Sequence, residues 1–300
     1  MKIIILGASH GGAEAVETAL LEFPTAEIFW VEQQALSHLL GWPMEKVVLY
    51  RNQLKAKGVR VLDQTRAVRL EGAHHTLVVQ ETQSKVEHRL VYDKLILSPG
   101  AQARTLSVPG NQLRGLVSLR GRADLDWLRQ QSTGNAAIQH VVVIGAGCIG
   151  VSAAEMFAVA GKQVTLVDVN DRVLHGYLDA ELTEPLTEAF TAHQVTLALA
   201  QRVQQFDGDA TGHVTTVVTD QKSYWADLVV VAVGGQPNTD WLVDQLAILP
   251  NGSIQTDTYL RTSMPDVFAI GDAVQVVSGA TGKLLNVALE ADARRESYLA

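Results

Sequence analysis

The sequence predicts an α/β protein with two parallel-sheet units, and two observations lead to that prediction. The order strand, glycine-rich turn, helix and strand occurs twice in the 300 residues, each time with a carboxylate directly after the second strand. Hydrophobic residues make up 47% of the chain and 24 residues are glycine, which is typical of buried parallel strands joined by tight turns. A chain of this length has material for two domains with separate cores.

The first unit opens the chain. The strand KIIIL runs into the turn GASHGG and then into a helix that extends to about Leu21. A second strand, at 27–31, ends at Glu32. Glycines let the backbone approach a pyrophosphate at a helix N-terminus, and the acid accepts hydrogen bonds from a ribose diol. Because Ser9 replaces the middle glycine, this turn taken alone also fits a purely structural turn.

Between the two units, residues 67–91 contain short alternating apolar runs, which indicate a small antiparallel meander. A buried strand at 92–97 follows and ends in Ser98, Pro99 and Gly100. Strands of the same kind are predicted at 227–233 and, near the end of the chain, at 266–270.

The second unit repeats the pattern without deviation. The strand VVVI runs into GAGCIG, a helix follows, and the strand QVTLV ends at Asp168. Two complete units predict two Rossmann-like folds, each of which binds one dinucleotide. Because a carboxylate accepts hydrogen bonds from both ribose hydroxyls and repels a 2′-phosphate, Asp168 favours NAD(H) over NADP(H). The nearest following arginine, Arg172, lies four residues further on.

Composition restricts the partners and the compartment. The net charge is −8 and no run of lysines or arginines occurs, which argues against nucleic acid or an anionic membrane as a partner. One cysteine cannot form an internal disulfide, and no stretch approaches the roughly 18 apolar residues of a membrane helix. No residue spacing indicates a metal site. We therefore expect a cytoplasmic protein.

These pieces, in this order, resemble the FAD- and NAD-dependent pyridine nucleotide-disulfide oxidoreductases, in the branch of NADH peroxidase, NADH oxidase and coenzyme A-disulfide reductase. The resemblance is carried by GASHGG, VEQ, YDKLILSPGA, LRGR, VVVIGAGCIG, VTLVD, ADLVVVAVGGQPNT, TSMPDVFAIGDA and NVALEADAR. It implies the FAD/NAD(P)-binding three-layer fold, with an FAD-binding domain at 1–108 and 241–300 and an NAD-binding domain inserted at 109–240. It also implies FAD and NAD as cofactors and a small-molecule electron acceptor.

The resemblance assigns site residues by motif match. For FAD it implies Gly7, Ser9, His10, Gly11, Gly12, Glu32, Gln33, Ser98, Pro99, Gly100, Arg122, Asp272 and Ala288. For NADH it implies Gly145, Gly147, Cys148, Ile149, Gly150, Asp168, Tyr177 and Gly234. Ala288 would open a helix whose positive end faces the flavin ring.

The main departure from the family pattern concerns the redox cysteine. In this branch it lies ten residues after the strand-end acid, where this chain has Trp42. An indole cannot form a thiolate or a mixed disulfide, so a cysteine-based redox step is not expected. His10 occupies the place of the family's histidine beside that cysteine. It is a candidate catalytic residue, and the alternative is a histidine that bonds only to backbone or flavin groups.

Other departures lie in the second unit and at the end of the chain. Cys148 stands where relatives place a tyrosine lid over the flavin, and we expect it to be a small buried hydrophobe. Ser152 stands where relatives have a glutamate that seats the nicotinamide. The chain ends in the alanine-rich segment 286–300, whereas relatives continue into a dimerising interface domain, so a monomer or weak dimer is expected.

The leading functional hypothesis is an FAD-dependent NADH oxidoreductase of the NADH peroxidase/oxidase family. Hydride would pass from NADH to flavin and then to oxygen or a diffusible acceptor, with peroxide as the oxygen product. The alternative is a catalytically impaired FAD/NAD-binding protein or redox sensor. Loss of the cysteine, the lid tyrosine and the glutamate favours the alternative, whereas retention of both glycine turns and both acids favours the enzyme.

Overall fold

The computed structural model describes residues 1–36, 43–119, 122–277, 282–285 and 290–300. The chain forms two compact units. The first consists of Met1–Gln102 together with Gln236–Ala300, and the second of Ala103–Gly235. The second unit is thus one continuous stretch, and the first is made of the segments on either side of it.

The elements follow one another in chain order, and those up to the first crossing between units are β1 (Lys2–Leu6), α1 (His10–Glu22), β2 (Glu27–Val31), α2 (Met44–Ala56), β3 (Val59–Leu62), β4 (Thr65–Glu71), β5 (Thr76–Glu81), β6 (Glu87–Val91), β7 (Lys94–Leu97) and β8 (Ala101–Ala103). The next are β9 (Leu116–Ser118), α3 (Arg122–Gly134), β10 (His140–Ile144), α4 (Cys148–Val159), β11 (Gln163–Val167), α5 (Ala180–Ala192), β12 (Thr196–Ala198), β13 (Val203–Gly208), β14 (Val214–Thr219), β15 (Ser223–Trp225) and β16 (Leu228–Val231). The last are β17 (Gly235–Pro237), β18 (Val267–Ala269), β19 (Val276–Val277), β20 (Leu284–Leu285) and α6 (Glu290–Glu296).

The first unit is built on a parallel sheet with the strand order β18-β7-β1-β2-β3. Successive residues of β1 point to opposite faces, as the period of a strand requires. Ile3 and Ile5 pack into a core with α1 and α2, whereas Ile4 and Leu6 pack into a core with the antiparallel sheet β4-β5-β6. The sheet is therefore covered on both faces, which explains why its strands read as nearly continuous apolar runs.

The second unit repeats this three-layer arrangement. Its parallel sheet has the order β12-β11-β10-β16-β9, and the antiparallel sheet β13-β14-β15 covers one face. Val141 and Val143 of β10 face the core that contains Phe157 of α4. Val142 and Ile144 face the antiparallel sheet instead. The predicted α/β class is confirmed.

The observed strands are slightly shorter than predicted. The strand expected at 92–97 begins at Lys94, because Tyr92 and Asp93 belong to the approach from the antiparallel sheet. The strand expected at 227–233 ends at Val231, before the turn that contains Gly234. In the parts of the chain that the structure describes, no helix is both long and apolar enough to span a membrane.

Candidate functional site

The first glycine turn joins β1 to α1 by a close backbone approach. Gly7 has a φ of +99°, and a Cβ at this position would lie 2.0 Å from the carbonyl oxygen of Ser98. A Cβ on Gly12 would lie 1.9 Å from the carbonyl oxygen of Gly7. The indole Nε1–H of Trp30 donates a 2.8 Å hydrogen bond to that same Gly7 oxygen. Glycine is therefore required at both positions, and the turn is held by the neighbouring strand.

The exposed amino end of α1 is a candidate site for an anionic group. Ser9 is the N-cap residue and has extended backbone angles, and Ser9 and His10 are both exposed. Among the described residues, no side-chain hydrogen bond caps this helix, and no acidic residue lies in its first turn. The amides of a helix N-terminus carry a partial positive charge, so this end suits an anionic group such as a pyrophosphate.

Glu32 lies at the end of β2, beside the same turn. Its Oε2 accepts a 2.8 Å hydrogen bond from the backbone N–H of Ala8, and its Oε1 accepts one of 2.8 Å from Gln34. Burial raises the pKa of this carboxyl, although the hydrogen bonds from Gln34 and Ala8 oppose that shift. A carboxylate has about four acceptor sites, so capacity remains for a ribose hydroxyl. Gln33, next to it, is exposed.

The segment after β7 closes the turn from the other side. The backbone N–H of Ser98 donates to the carbonyl oxygen of Leu6 at 2.8 Å, and the amide of Asn238 donates to that of Pro99 at 3.0 Å. A Cβ on Gly11 would lie 3.1 Å from the Ser98 Oγ. The structure thus brings together the residues around the first turn that were predicted for FAD. Gly100 follows with a φ of +65°.

The second unit reproduces this geometry. Gly145 has a φ of +103°, and a Cβ there would lie 2.4 Å from the carbonyl oxygen of Ala232. A Cβ on Gly150 would lie 1.7 Å from the carbonyl oxygen of Gly145. Gly147 is the N-cap of α4, and in the described chain this helix also begins without a side-chain cap or an acidic first turn. This helix end therefore suits an anionic group in the same way as the first.

Asp168 takes the place in the second unit that Glu32 takes in the first. Its Oδ2 accepts a hydrogen bond from the backbone N–H of Ala146 at 2.5 Å. Its Oδ1 accepts bonds from Asn170, from the backbone N–H at 2.7 Å and from the side-chain amide at 2.8 Å. The carboxylate is therefore fixed at the mouth of the glycine turn, where a nucleotide ribose would meet it.

Arg172 does not turn towards Asp168 as a phosphate ligand would. Its guanidinium donates hydrogen bonds to the carbonyl oxygens of Leu178 and His175, the latter at 3.1 Å. These bonds hold the loop that carries Tyr177, whose exposed ring lies close to the second turn. A Cβ on Gly147 would be 3.6 Å from Tyr177 Cε2.

One expectation about the second turn is wrong. Cys148 is exposed rather than a small buried hydrophobe. The residues of α4 that face the core are Gly150, Ala153, Ala154 and Phe157, which share one side of the helix. Cys148 precedes Gly150 by two residues and so points to the opposite side of the helix. Ile149 is also exposed, and Gly234 follows β16 with a φ of +93°.

Several predicted residues fall outside the description. Trp42, at the predicted place of the redox cysteine, and Ala288 lie outside the described residues. The backbone of Arg122 begins α3, and its side chain is likewise outside the description. Asp272 is described and lies in a short 3-10 turn, Gly271–Ala273, that follows β18.

The polar contacts of two residues in the first unit were not predicted from the sequence. Trp30 reads as an ordinary core residue of a strand, although its indole also binds the Gly7 carbonyl. Glu296 is buried near the end of α6 and accepts a 2.5 Å hydrogen bond from the backbone N–H of Gly271. A glutamate in an alanine-rich helix gives no signal of this kind, because its partner lies 25 residues away in the sequence.

Known proteins share this arrangement. A sequence model of the pyridine nucleotide-disulphide oxidoreductase family matches residues 1–291. An NADH oxidase of Enterococcus faecalis is 31% identical over 288 residues, which cover 92% of this chain and 64% of that protein. An NADH oxidase of Lactococcus lactis is 30% identical over 317 residues, which cover all of this chain and 70% of that protein.

A solved structure of another NADH oxidase is also similar to this chain. The water-forming NADH oxidase of Lactobacillus brevis, determined with bound NADH, superimposes with a TM-score of 0.88 at 30% identity. The match covers 100% of this chain and 68% of that one. This chain thus spans about two thirds of the length of the relatives it matches.

Proposed function

This chain belongs to the pyridine nucleotide-disulphide oxidoreductase family, and we propose that it oxidises NADH through bound FAD and passes the electrons to oxygen or another small acceptor. Membership of the family confirms the predicted enzyme class, an NAD(H)-dependent flavin oxidoreductase, and FAD and NAD as its cofactors. We propose in addition which acceptor takes the electrons, that no cysteine takes part in the reaction, and which role each site residue has.

The observation that carries the proposal is the paired geometry of the two acids. Glu32 and Asp168 each accept the backbone N–H of the second residue of their own glycine turn. Each turn also leads into a helix whose amino end carries no acid in its first turn within the described chain. Two dinucleotides can therefore be held by the same physical device, diphosphate at the helix end and ribose at the acid.

We assign FAD to the first unit and NADH to the second. Gly7, Gly11, Gly12 and Ser98 would let the FAD diphosphate approach the backbone, and Glu32 would bind its ribose. Asp272, beyond β18, would contact the flavin side of the cofactor. In the second unit, the turn with Gly147 would hold the NADH diphosphate, Asp168 its ribose, and Tyr177 would cover the nucleotide.

The nucleotide choice follows from Asp168 and Arg172 together. A carboxylate fixed by three hydrogen bonds repels a 2′-phosphate, and charge-assisted bonds to ribose hydroxyls are worth about 1.5–3 kcal/mol each. The guanidinium of Arg172 is already engaged by backbone carbonyls of its own loop. We therefore assign NADH, rather than NADPH, as the substrate.

The chemistry needs little from the side chains themselves. When bound, FAD supplies the acceptor for the hydride of NADH and the route by which electrons leave. The protein would bind and align both nucleotides. The only cysteine of the chain, Cys148, is placed in the NADH-binding turn, so no pair of sulfurs is available for a disulfide relay.

With oxygen as the acceptor, two electrons and two protons give hydrogen peroxide. NADH, one proton and one molecule of oxygen are consumed, and NAD and one molecule of hydrogen peroxide are formed. Further reduction of peroxide to water in a cysteine-dependent manner would need a thiolate, and Trp42 stands where that sulfur is expected. Peroxide is therefore the proposed product.

A second candidate function is a redox sensor that binds both nucleotides but turns over slowly. The observations that favour it are Trp42 and Ser152, each of which stands where the family has a residue that serves the reaction. The sensor and the enzyme bind the same cofactors, so binding alone does not separate them.

The experiment that tests the proposed function is oxygen consumption by the FAD-loaded protein with NADH. We expect one hydrogen peroxide for each NADH oxidised, detected as the return of oxygen on addition of catalase. The variant Asp168→Ala serves as a control, because weaker NADH binding should raise its KM. Stoichiometric water formation would contradict the proposed product, and the absence of any NADH-dependent oxygen uptake would favour the sensor.

A further inference from the structure

Glu296 is a buried carboxyl that the mechanism proposed above does not use. It lies in the last turn of α6, and only 8% of the residue is exposed. Its Oε2 accepts the backbone N–H of Gly271 at 2.5 Å. Gly271 directly precedes Asp272, and both belong to the short turn that ends the β18 motif. The carboxyl of Glu296 is thus attached to a turn assigned to FAD.

The helix that carries Glu296 also packs against the first glycine turn. A Cβ on Gly11 would lie 3.3 Å from the carbonyl oxygen and 3.4 Å from the Cβ of Ala293. A Cβ on Gly271 would lie 3.6 Å from the Ala293 Cβ and 3.6 Å from the Ser98 Oγ. One helical turn of α6, from Ala293 to Glu296, therefore contacts two segments of the assigned FAD site, the start of α1 and the turn at Gly271.

A second contact ties the end of the chain to α1. The phenol of Tyr298 donates a 2.6 Å hydrogen bond to Oε1 of Glu14, and Arg294 forms a 3.3 Å ion pair with Oε2 of the same carboxylate. Glu14 lies in the second turn of α1, the helix whose amino end would receive the FAD diphosphate. The position of α6 is consequently set by contacts on both sides.

The charged groups that raise the pKa of Glu296 are the carboxylates of Asp292 and Asp272, and Asp292 forms a 4.0 Å ion pair with Arg295. Burial, followed by the charges of Asp292 on its own helix and of Asp272 on the turn, raises its pKa to about 7, against the lowering effect of the Gly271 hydrogen bond. On α1, Glu14 carries a charge that Arg294 balances, and His10 lies at the amino end. A diphosphate bound at α1 would add negative charge to this surrounding.

We propose that Glu296 is a proton-linked positioning residue for FAD. In its neutral form the carboxyl anchors the Gly271–Asp272 turn and adds no charge, which favours the anionic cofactor. In its ionised form it places a buried negative charge behind the site that the FAD diphosphate would occupy, which weakens binding. FAD affinity therefore decreases with rising pH, and binding of FAD takes up a proton. This inference rests on the assignment of FAD to the first unit.

The test is a titration of free FAD with apoprotein at about pH 6 and at about pH 8, at constant ionic strength. Binding is measured as quenching of the flavin fluorescence. One linked proton with a midpoint near 7 lowers the affinity of the wild type by up to about tenfold between these values. Glu296→Gln keeps an oxygen that accepts the Gly271 N–H but cannot ionise. We expect its affinity to change by less than about twofold over the same range.

His10→Gln is the matched control, because histidines also change charge near neutral pH. We expect His10→Gln to retain the pH dependence of the wild type. A Glu296→Gln variant that loses affinity with pH as the wild type does would overturn the inference. The same holds if only His10→Gln removes the dependence. A purely structural role for Glu296 would alter stability but leave the ratio of the two affinities unchanged.

A measurement on the wild type covers the case in which Glu296→Gln does not fold. FAD is added to apoprotein near pH 7 in weakly buffered solution with a pH indicator. Net proton uptake is expected, up to about half a proton per FAD because Glu296 is already about half protonated at this pH, and no uptake or a release would overturn the inference. Bound FAD whose affinity is independent of pH would overturn this inference alone. A protein that binds no FAD at either pH would overturn the cofactor assignment as well.

Discussion

The carboxylate of Glu32 accepts the backbone N–H of Ala8 at 2.8 Å, across the first glycine turn of the chain. The same relationship joins Asp168 to Ala146 in the second unit, at 2.5 Å. In both units the bond fixes the acid at the end of one strand and the turn at the end of its neighbour. Little side-chain entropy would be lost when a ribose binds this carboxylate, because the side chain is already immobilised.

Replacement of Glu32 by Gln tests the first of these pairs. The amide group of glutamine offers one acceptor oxygen and a donor nitrogen, so it cannot accept both the Ala8 and the Gln34 N–H groups. Loss of one charge-assisted bond to the FAD ribose costs about 1.5–3 kcal/mol, so we expect FAD affinity to fall by at least about tenfold. Titration with FAD measures the effect. The exposed Glu87→Gln serves as a control, and equal affinity of Glu32→Gln and wild type would contradict the role of Glu32.

The nucleotide preference gives a prediction about the Tyr177 loop. Asp168→Ala should weaken NADH binding and narrow the preference over NADPH, because we propose that the carboxylate binds the ribose, and it would repel a 2′-phosphate. Arg172→Ala should weaken NADH by loosening the loop that presents Tyr177, while the preference for NADH is retained. Dissociation constants for the two nucleotides with each variant provide the measurement. If Arg172→Ala selectively abolished NADPH binding, the arginine would be a phosphate ligand after all.

Glu296 gives a prediction about stability and pH. Burial raises its pKa from 4.5 to about 7, so between these values the folded protein holds a proton that the unfolded chain has released. The free energy of unfolding therefore falls as pH rises through this window and is constant above it as far as Glu296 is concerned.

We expect Glu296→Gln to lose less stability over that window and to exceed the wild type by roughly 2 kcal/mol at about pH 8. Urea unfolding of the apoprotein at about pH 5 and about pH 8 measures the difference. Glu188→Gln, an exposed change on α5, should follow the wild type at both values. Parallel stability curves for Glu296→Gln and wild type would show that the two carboxyl environments, folded and unfolded, are equivalent.

The exposed position of Cys148 predicts ready chemical modification. An aromatic disulfide reagent should label one thiol per chain in the folded, FAD-loaded protein, and saturating NADH should slow the labelling because the thiol lies in the turn that we propose binds NADH. Modification should leave the long-wavelength flavin absorbance unchanged, since we assign Cys148 to the NADH-binding turn and not to the flavin. A thiol that reacts only after denaturation would contradict the observed exposure.

Much of this fold could be predicted because its signals are local. The tight turns at Gly7 and Gly145 and the acids at the ends of their neighbouring strands are properties of short segments, and each was found where expected. The lengths of the strands were less certain, since Tyr92 is apolar enough to extend β7 yet contributes to the approach from the antiparallel sheet.

The features that were not predicted depend on contacts between segments distant in the sequence, or on the side of a helix to which a side chain points. Nothing next to Glu296 in the sequence indicates that it would reach Gly271 or be buried. Cys148 was misjudged because an apolar turn suggests burial, whereas the exposure of a helix residue depends on the side of the helix to which it points. The indole of Trp30 on β2 donates to the carbonyl oxygen of Gly7, in the turn that follows the neighbouring strand β1.

We expect NADH to deliver hydride to FAD on this chain without a cysteine. The most direct test is rapid anaerobic mixing of the FAD-loaded protein with NADH, followed at the absorbance band of oxidised flavin. We expect the band to bleach at a rate that saturates with NADH, with two electrons taken up per FAD, and Asp168→Ala should need more NADH to reach the same rate. Oxidised flavin that persists although NADH is shown to be bound would contradict the claim.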